Sequence, residues 1–313
     1  MSVGFPKFST TILGSNSALP ANGRNPTSQL LNVDNHYYLI DCGEGTQMQM
    51  RRFNVKMQRI KVVFISHMHG DHYFGLIGLL NSLHLLGRTK PLLVIAPTQL
   101  EEIMRLQLDS AGKKLSYELS FQALPTSYNE KVSIYEDKQV IVRTFNLKHR
   151  LPCNAFVFEE QQRERTYLPE KGGPAGVKIE EIPRLKNGES IRRADGSFLN
   201  YEDFTLPPAP VRKFAFCTDT LPLQRTIDHT REVNVLYHEA TFLASEQERS
   251  KETYHTTAKQ AAEIASKAGV GKLLLGHFSA RYTVLSNHLE EAKAIFENVH
   301  LAEEGKEFEI ISG

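Results

Sequence analysis

His67-Met68-His69-Gly70-Asp71-His72 follows without a break on the apolar run Lys61-Val62-Val63-Phe64-Ile65-Ser66. The run is short, β-branched and closed by a Gly-containing turn, which predicts a buried strand feeding a tight loop. Four metal-binding side chains fall within the six positions of that loop. On a helix, residues at this spacing diverge; on a loop at a strand's end they can converge on one metal, or on two side by side. A lone histidine is usually a packed or surface residue, whereas four ligand side chains this close predict a metal site.

Three further candidates stand in the same relation to a strand. Residues 138–147, 212–217 and 272–275 read as strands, and His149, Asp219 and His277 each lie just beyond one of them. A fourth run, 233–237, leads into His238-Glu239-Ala240-Thr241-Phe242. Ligands at the carboxyl edges of neighbouring strands can meet at one rim of a sheet sandwich, where α/β folds usually place their chemistry. The rest of the pattern is also α/β. A strand at 37–40 is broken by Asp41-Cys42-Gly43-Glu44-Gly45, and a helix over 72–86 carries Leu76, Leu79, Leu80, Leu83 and Leu86 and stops at Gly87. Next come a strand at 91–96 and a helix to about residue 108 with Thr98 as its cap. An Ala-rich helix over 256–267 has Gly269 as its end signal. A last helix at 286–298 and a last strand at 308–311 close the chain.

The chain has 313 residues, 41% of them hydrophobic, which is ample for one large domain or two. Its 37 basic and 36 acidic residues leave a net charge of +1, so a nucleic-acid site has to be a local patch. The three cysteines, Cys42, Cys153 and Cys217, are far apart with no CxxC pair. That excludes a disulfide framework and a Cys-rich zinc knuckle, and points to reduced thiols in the cytoplasm. Met1-Ser2-Val3-Gly4-Phe5 lacks a signal core, and no apolar run approaches a membrane span, so no membrane partner is expected. The stretch 159–210 is polar, rich in Gly and Pro, and too long for an ordinary connection. Its 8 basic and 10 acidic residues read as a solvated insertion, in which only Arg184, Lys186, Arg192 and Arg193 suggest a face for phosphates. There are no internal repeats.

Taken together, these residues resemble the RNase Z (ElaC-type, short form) branch of the metallo-β-lactamase superfamily. The box at 67–72 alone is common to the superfamily. Asp41-Cys42-Gly43-Glu44-Gly45-Thr46-Gln47 is similar to that branch's DCGEGTQ stretch, and 238–242 to its HEAT motif. His255-Thr256-Thr257 with Gln260-Ala261-Ala262 is similar to its HST motif, and His277-Phe278-Ser279-Ala280-Arg281-Tyr282 to its HFSxRY end. The likeness covers nearly the whole chain in order, and the insertion falls where the family carries its flexible, tRNA-clamping arm. Departures occur at Cys217-Thr218-Asp219-Thr220-Leu221, where SGDTR is usual, and at His-Thr-Thr in place of HST. Gly172-Gly173-Pro174 also lies further than usual from Leu185-Lys186-Asn187-Gly188.

The resemblance implies a four-layer αβ/βα sandwich, one catalytic domain over 1–313, and a protruding, substrate-binding arm at 159–210. It implies two zinc ions, replaceable by manganese. His67, His69 and His149 would hold one, Asp71, His72 and His277 the other, and Asp219 would bridge them. Two metals about 3.5–4 Å apart share a hydroxide that can attack a phosphodiester in line. Asp71 would orient or deprotonate the attacking water, His255 would act as acid, and Glu239 would orient His255 and raise its pKa. The implied activity is endonucleolytic removal of the 3′ trailer from precursor tRNA near the discriminator base, leaving a 3′-hydroxyl tRNA and a 5′-phosphate trailer. The implied state is a homodimer, with no other protein partner.

Other residues carry plainer expectations. Asp41 either supports a ligand histidine or caps its own turn. Cys42 is expected to be a buried thiol and His84 a packing residue. His36, His229, His288 and His300 are expected at the surface, and His238 in a structural hydrogen bond. Arg281 would contact phosphate or pair with a carboxylate. Two other functional classes compete: a zinc phosphodiesterase of small molecules, and a binding protein without catalysis, which the intact ligand set disfavours.

Overall fold

The computed structural model of the chain describes residues 7–112, 114–126 and 130–311, so the N-terminal stretch 1–5 lies outside the described residues. The chain divides into two compact units, residues 1–159 with 212–313, and residues 160–211. The first unit opens with β1 (Phe8–Gly14), β2 (Ser28–Val33), β3 (His36–Ile40), α1 (Thr46–Arg52), β4 (Ile60–Phe64), α2 (Leu76–Leu85), β5 (Leu92–Ala96), α3 (Gln99–Ser110) and β6 (Leu119–Ala123). The chain continues through β7 (Val132–Glu136), β8 (Val140–Leu147) and β9 (Cys153–Glu160). The second unit holds β10 (Thr166–Tyr167), α4 (Pro169–Gly172), α5 (Ile182–Lys186), β11 (Ile191–Arg192), β12 (Phe198–Leu199), α6 (Tyr201–Phe204) and β13 (Thr205–Leu206). The first unit resumes with β14 (Lys213–Cys217), α7 (Gln224–His229), β15 (Val235–Glu239), α8 (Gln247–Thr253), α9 (Ala258–Ala268), β16 (Leu273–Gly276), α10 (Ser286–Lys293), β17 (Val299–Leu301) and β18 (Glu307–Glu309).

Two seven-stranded sheets form the larger unit, ordered β18-β1-β2-β3-β4-β5-β6 and β17-β16-β15-β14-β9-β8-β7. The pairs from β3 to β6 and from β14 to β17 are parallel. Strand alternation sets the layers. In β4, Val62 and Phe64 pack between the sheets with Phe156, Phe158, Phe214 and Tyr237, whereas Val63 and its neighbour Ile65 face outward. The outward face meets Leu76, Leu79, Leu80 and Leu83 of α2 and Leu100 and Met104 of α3. On the other side, Ala258, Ala261, Ala262 and Ala265 of α9 pack on Ala215, Leu236 and Leu275. The result is helix, sheet, sheet, helix, as expected from the sequence. Burying a side chain such as Phe64 stabilises this stack by about 1.5–3 kcal/mol. Phe64 also meets the Phe158 ring edge-on, with centroids 5.2 Å apart.

Several element boundaries differ from expectation. The helix after the His loop begins at Leu76, not His72, because residues 70–72 form a 3-10 turn. Tyr73 and Phe74 N–H groups close that turn on Gly70 O, leaving Asp71 and His72 on a loop. Thr98 occupies the cap position of α3 with helical φ and ψ and makes no side-chain cap bond; Glu101 and Glu102 complement the helix dipole in the first turn instead. The last helix ends at Lys293. At α9 the reciprocal bonds of Thr257 and Gln260 start the helix, and Gly269 at φ +63° ends it. His288 is fully buried, contrary to expectation, and sits edge-on to the rings of Phe278 and Tyr282.

Residues 160–211 have a small core of their own. Leu185, Ile191 and Leu199 are buried among Tyr167, Val177, Tyr201 and Phe204. Their elements run from two to five residues, too short to show periodicity in the sequence. Among the described residues, no helix is long and apolar enough to cross a membrane.

Candidate metal centre

The site lies where several strands of both sheets run out. His67 follows β4, His149 follows β8, Asp219 follows β14 and His277 follows β16. Asp41, Asp219, Tyr254 and His277 turn the chain with left-handed φ of 54°, 44°, 62° and 57°. Non-glycine residues in that region cost about 1–3 kcal/mol each, and such strain clusters at functional sites.

Asp219 stands at the centre. Its Oδ1 lies 3.9 Å from His67 Nε2 and 3.7 Å from His149 Nε2. Its Oδ2 lies 3.2 Å from both His72 Nε2 and His277 Nε2. His69 Nδ1 completes the first cluster, 2.9 Å from His67 Nε2 and 3.1 Å from His149 Nε2. Asp71 Oδ2 completes the second, 3.4 Å from His72 Nε2 and 3.5 Å from His277 Nε2. The ligand atoms of His67, His69, His149 and Asp219 lie within 4.8 Å of one another, as do those of Asp71, His72 and His277.

Four imidazoles are fixed through their other nitrogen. His67 Nδ1 lies 3.0 Å from Ser66 Oγ, His149 Nδ1 lies 3.1 Å from Tyr254 O, and His277 Nδ1 lies 3.0 Å from Thr241 Oγ1. His72 Nδ1 lies 2.6 Å from Asp41 Oδ2, while Asp41 Oδ1 accepts from Ser66 N at 2.8 Å. Asp41 therefore supports a histidine of the site and does not cap its own turn. The carboxylate and the carbonyl require an N–H at Nδ1 of His72 and His149, and a neutral ring held in this way turns its Nε2 lone pair toward the cluster. Ala18 N–H donates to Asp71 Oδ2 at 2.8 Å.

Two close approaches explain the glycines around Asp41. A Cβ on Gly43 would lie 2.4 Å from Asp71 O, and one on Gly75 would lie 2.0 Å from Gly43 O. Cys42 N donates to His72 O, and Gly75 N to Cys42 O, so the 41–45 turn is laced to the His loop.

Burial lowers the pKa of His67, His69 and His149, which keeps them neutral and able to bind metal. Burial pushes the other way on Asp71, yet His72 and His277 hold its carboxyl well below the usual range. Asp219 is held down by His277, His72 and His67 against the same penalty. His72 is raised: burial opposes its charge, but Asp71, Asp219 and Asp41 surround it. The ion-pair partners of Asp71 and Asp219 among the described residues are all imidazoles. A site with so much buried negative charge calls for cations.

The residues fit divalent metal. His72 Nε2 and His277 Nε2 are buried without a hydrogen-bond partner while facing two carboxylates. The donors are imidazole and carboxylate with no thiolate, which suits a catalytic centre with an open position.

Glu239 and His255 adjoin the cluster. Glu239 is fully buried; Oε1 accepts from Thr220 N at 2.6 Å, and Oε2 accepts from Thr241 Oγ1 at 2.5 Å and Thr256 N at 3.1 Å. Both oxygens face His255 Nδ1, at 3.0 and 3.1 Å. Burial disfavours the imidazolium, but Glu239 outweighs it and raises the His255 pKa to about 9. An open cleft of about 370 Å³ is lined by His69, Asp71, Phe74, His149, Asp219, His255 and His277.

The seven expected ligands, with Glu239 and His255, thus converge on one cleft. The four basic residues expected to face phosphates are engaged within residues 160–211. Arg184 pairs with Glu189 at 3.0 Å, Lys186 with Glu164 at 2.5 Å and Arg193 with Glu181 at 2.6 Å, while Arg192 lies over the Phe198 ring. Arg281 pairs with Glu246 at 3.0 Å and lies over Phe242, the carboxylate alternative of its two readings. His238 bonds its neighbour's carbonyl, and Cys42 is buried, both as expected. Sequence reasoning missed Ser66, Thr241, Tyr254 and Ala18. Thr241 could have been found from its place beside Glu239, whereas Tyr254 and Ala18 act through backbone atoms and leave no signal.

Comparison with known proteins agrees with this geometry. A ribonuclease Z of Bacteroides thetaiotaomicron is 44% identical over 298 residues, covering 95% of this chain and 94% of that protein. The chain belongs to the ribonuclease Z family. Residues 8–164 also match the family model described as Anti-Pycsar protein Apyc1, a span that covers β1 to β9. The crystal structure of human tRNase Z, short form, aligns with a TM-score of 0.72 at 24% identity, over 97% of this chain and 100% of that one. The metallo-β-lactamase fold protein YhfI from Bacillus subtilis aligns with a TM-score of 0.67 at 19% identity, over 97% and 99%. The fold is accordingly the metallo-β-lactamase fold.

Proposed function

We propose that the chain is a zinc-dependent endoribonuclease that removes the 3′ trailer from precursor tRNA, cutting near the discriminator base. The observation that carries this reading is the Asp219 carboxylate, which turns one oxygen to each of two ligand clusters inside a cleft that also holds a carboxylate-clamped imidazole. Membership of the ribonuclease Z family supports RNA as the substrate. His67, His69 and His149 would hold one cation, Asp71, His72 and His277 a second, and Asp219 both; manganese would suit the same donors. Bound there, two divalent cations would supply an activated water at neutral pH and offset charge on the phosphoryl oxygens.

The chain's own residues do the rest. Asp71, steadied by Ala18 N–H, orients or deprotonates the water. His255, held protonated by Glu239, donates to the leaving 3′-oxygen, which becomes the tRNA's 3′-hydroxyl and leaves a 5′-phosphate on the trailer. Residues 160–211 would serve as the arm. Their paired cations Arg184 and Lys186 exchange carboxylates for phosphates on a stem recognised by shape. Arg192, Arg193 and Arg281 are further contacts in this reading, and the working form would be a cytoplasmic homodimer.

The test is purified protein with an end-labelled precursor tRNA, with and without chelator, the cut mapped to the nucleotide. A single chelator-sensitive cut at the trailer junction is expected; no cut, or one that survives metal removal, contradicts the reading. Deleting residues 160–208 should cripple precursor cleavage and spare hydrolysis of a small chromogenic phosphodiester.

A further inference from the structure

Phe74 is 60% exposed, yet its ring is held in place at the metal cleft. Its N–H donates to Gly70 O at 2.8 Å, and its ring lies over Gly70 so closely that a Cβ there would come within 2.1 Å of it. Tyr73 meets the same ring at 72°, with centroids 5.0 Å apart. Gly70 belongs to the His loop, so the ring is tied to the segment that carries His69 and Asp71. A scattered exposed apolar residue needs no explanation. A ring packed on a glycine, in a cleft lined by His149, Asp219 and His277, presents an apolar surface to that cleft. Arg150, exposed on the bend between β8 and β9, lines the same cleft.

We propose that Phe74 is a nucleobase platform, stacking one of the two bases that flank the cleaved phosphodiester, with Arg150 against a neighbouring phosphate. This inference rests on the RNA reading above. Every base has a π-face, so stacking positions the strand without selecting sequence, which suits trailers of varied composition. A ring already seated on Gly70 loses little freedom on binding, so the stacking energy goes to holding the phosphodiester over the metal cluster.

The test compares wild type, Phe74→Ala and Phe74→Tyr on a precursor tRNA and on the same precursor made abasic at either nucleotide flanking the cut. Metal content and Tm are measured alongside to show that the variants fold and load. Phe74→Ala should raise KM about 5- to 100-fold, with most of the loss in KM and little in kcat. Phe74→Tyr should restore KM, and the penalty of Phe74→Ala should vanish on one of the two abasic substrates. If wild type cleaves the precursor and Phe74→Ala keeps its KM, or its penalty is the same on both abasic substrates, the platform is overturned and the nuclease reading stands. If wild type cleaves no RNA, the nuclease reading falls and the platform with it.

Discussion

Thr241 Oγ1 donates to Glu239 Oε2 at 2.5 Å and receives His277 Nδ1 at 3.0 Å. One hydroxyl thereby joins a candidate metal ligand to the carboxylate that clamps His255. Replacing it with the near-isosteric valine removes both bonds at little cost in volume. Thr241→Val should weaken metal binding about 10- to 100-fold, read by competition with a chromogenic chelator, and should lower turnover. Thr241→Ser should recover both. Unchanged metal affinity in the valine variant would show that the hydroxyl does not hold His277.

His255 offers the sharpest separation of metal binding from proton transfer. Its Nδ1 is taken by Glu239, and the ring lines the cleft. His255→Ala should keep its metal and lose about 10²- to 10⁴-fold in kcat. Metal analysis and single-turnover cleavage on one preparation decide it; wild-type turnover with full metal would refute the acid role.

The lacing of the 41–45 turn to the His loop makes a stability prediction. Gly75→Ala drives a Cβ to 2.0 Å from Gly43 O, a backbone atom with little room to move. Overpacking of this kind costs about 1–3 kcal/mol or more and should appear as a lower Tm. An unchanged Tm would mean that the two segments can part freely.

His288 makes stability depend on pH. Burial, with Arg24 as a lesser cause, pushes its pKa down to about 4. Unfolded, the group titrates near 6.5, so between about 6.5 and 4 the unfolded chain binds the proton and the folded chain does not. Its contribution is therefore complete above about 6.5 and is lost as pH falls toward 4, by about 2–3 kcal/mol. Asp219, Asp71 and other low-pKa groups of the site add their own slopes, so the readout is the difference between proteins. His288→Leu should gain Tm relative to wild type as pH drops from 7 to about 4.5. Parallel profiles would contradict the assignment.

Much of this site was legible in the sequence, for a physical reason. His67, His149, Asp219 and His277 each come within three residues of a strand's end, and strand ends in an α/β sheet lie at a common edge. The dense group at 67–72 announced metal by itself, but the convergence of His149, Asp219 and His277 on it rested on resemblance. What stayed hidden was contact without a local pattern. Ala18 acts through a backbone N–H, and His288 turns inward beside Ala292 on a helix of only eight residues. The small core around Leu185, Ile191 and Leu199 draws single residues from separate short segments, so no periodicity betrayed it.

The most direct measurement is anomalous scattering from crystals grown with zinc, collected on both sides of the zinc edge. Two peaks about 3.5–4 Å apart are expected, one among His67, His69 and His149 and the other among Asp71, His72 and His277, with Asp219 touching both. A single peak, or peaks that leave Asp219 uncoordinated, would contradict the dinuclear centre.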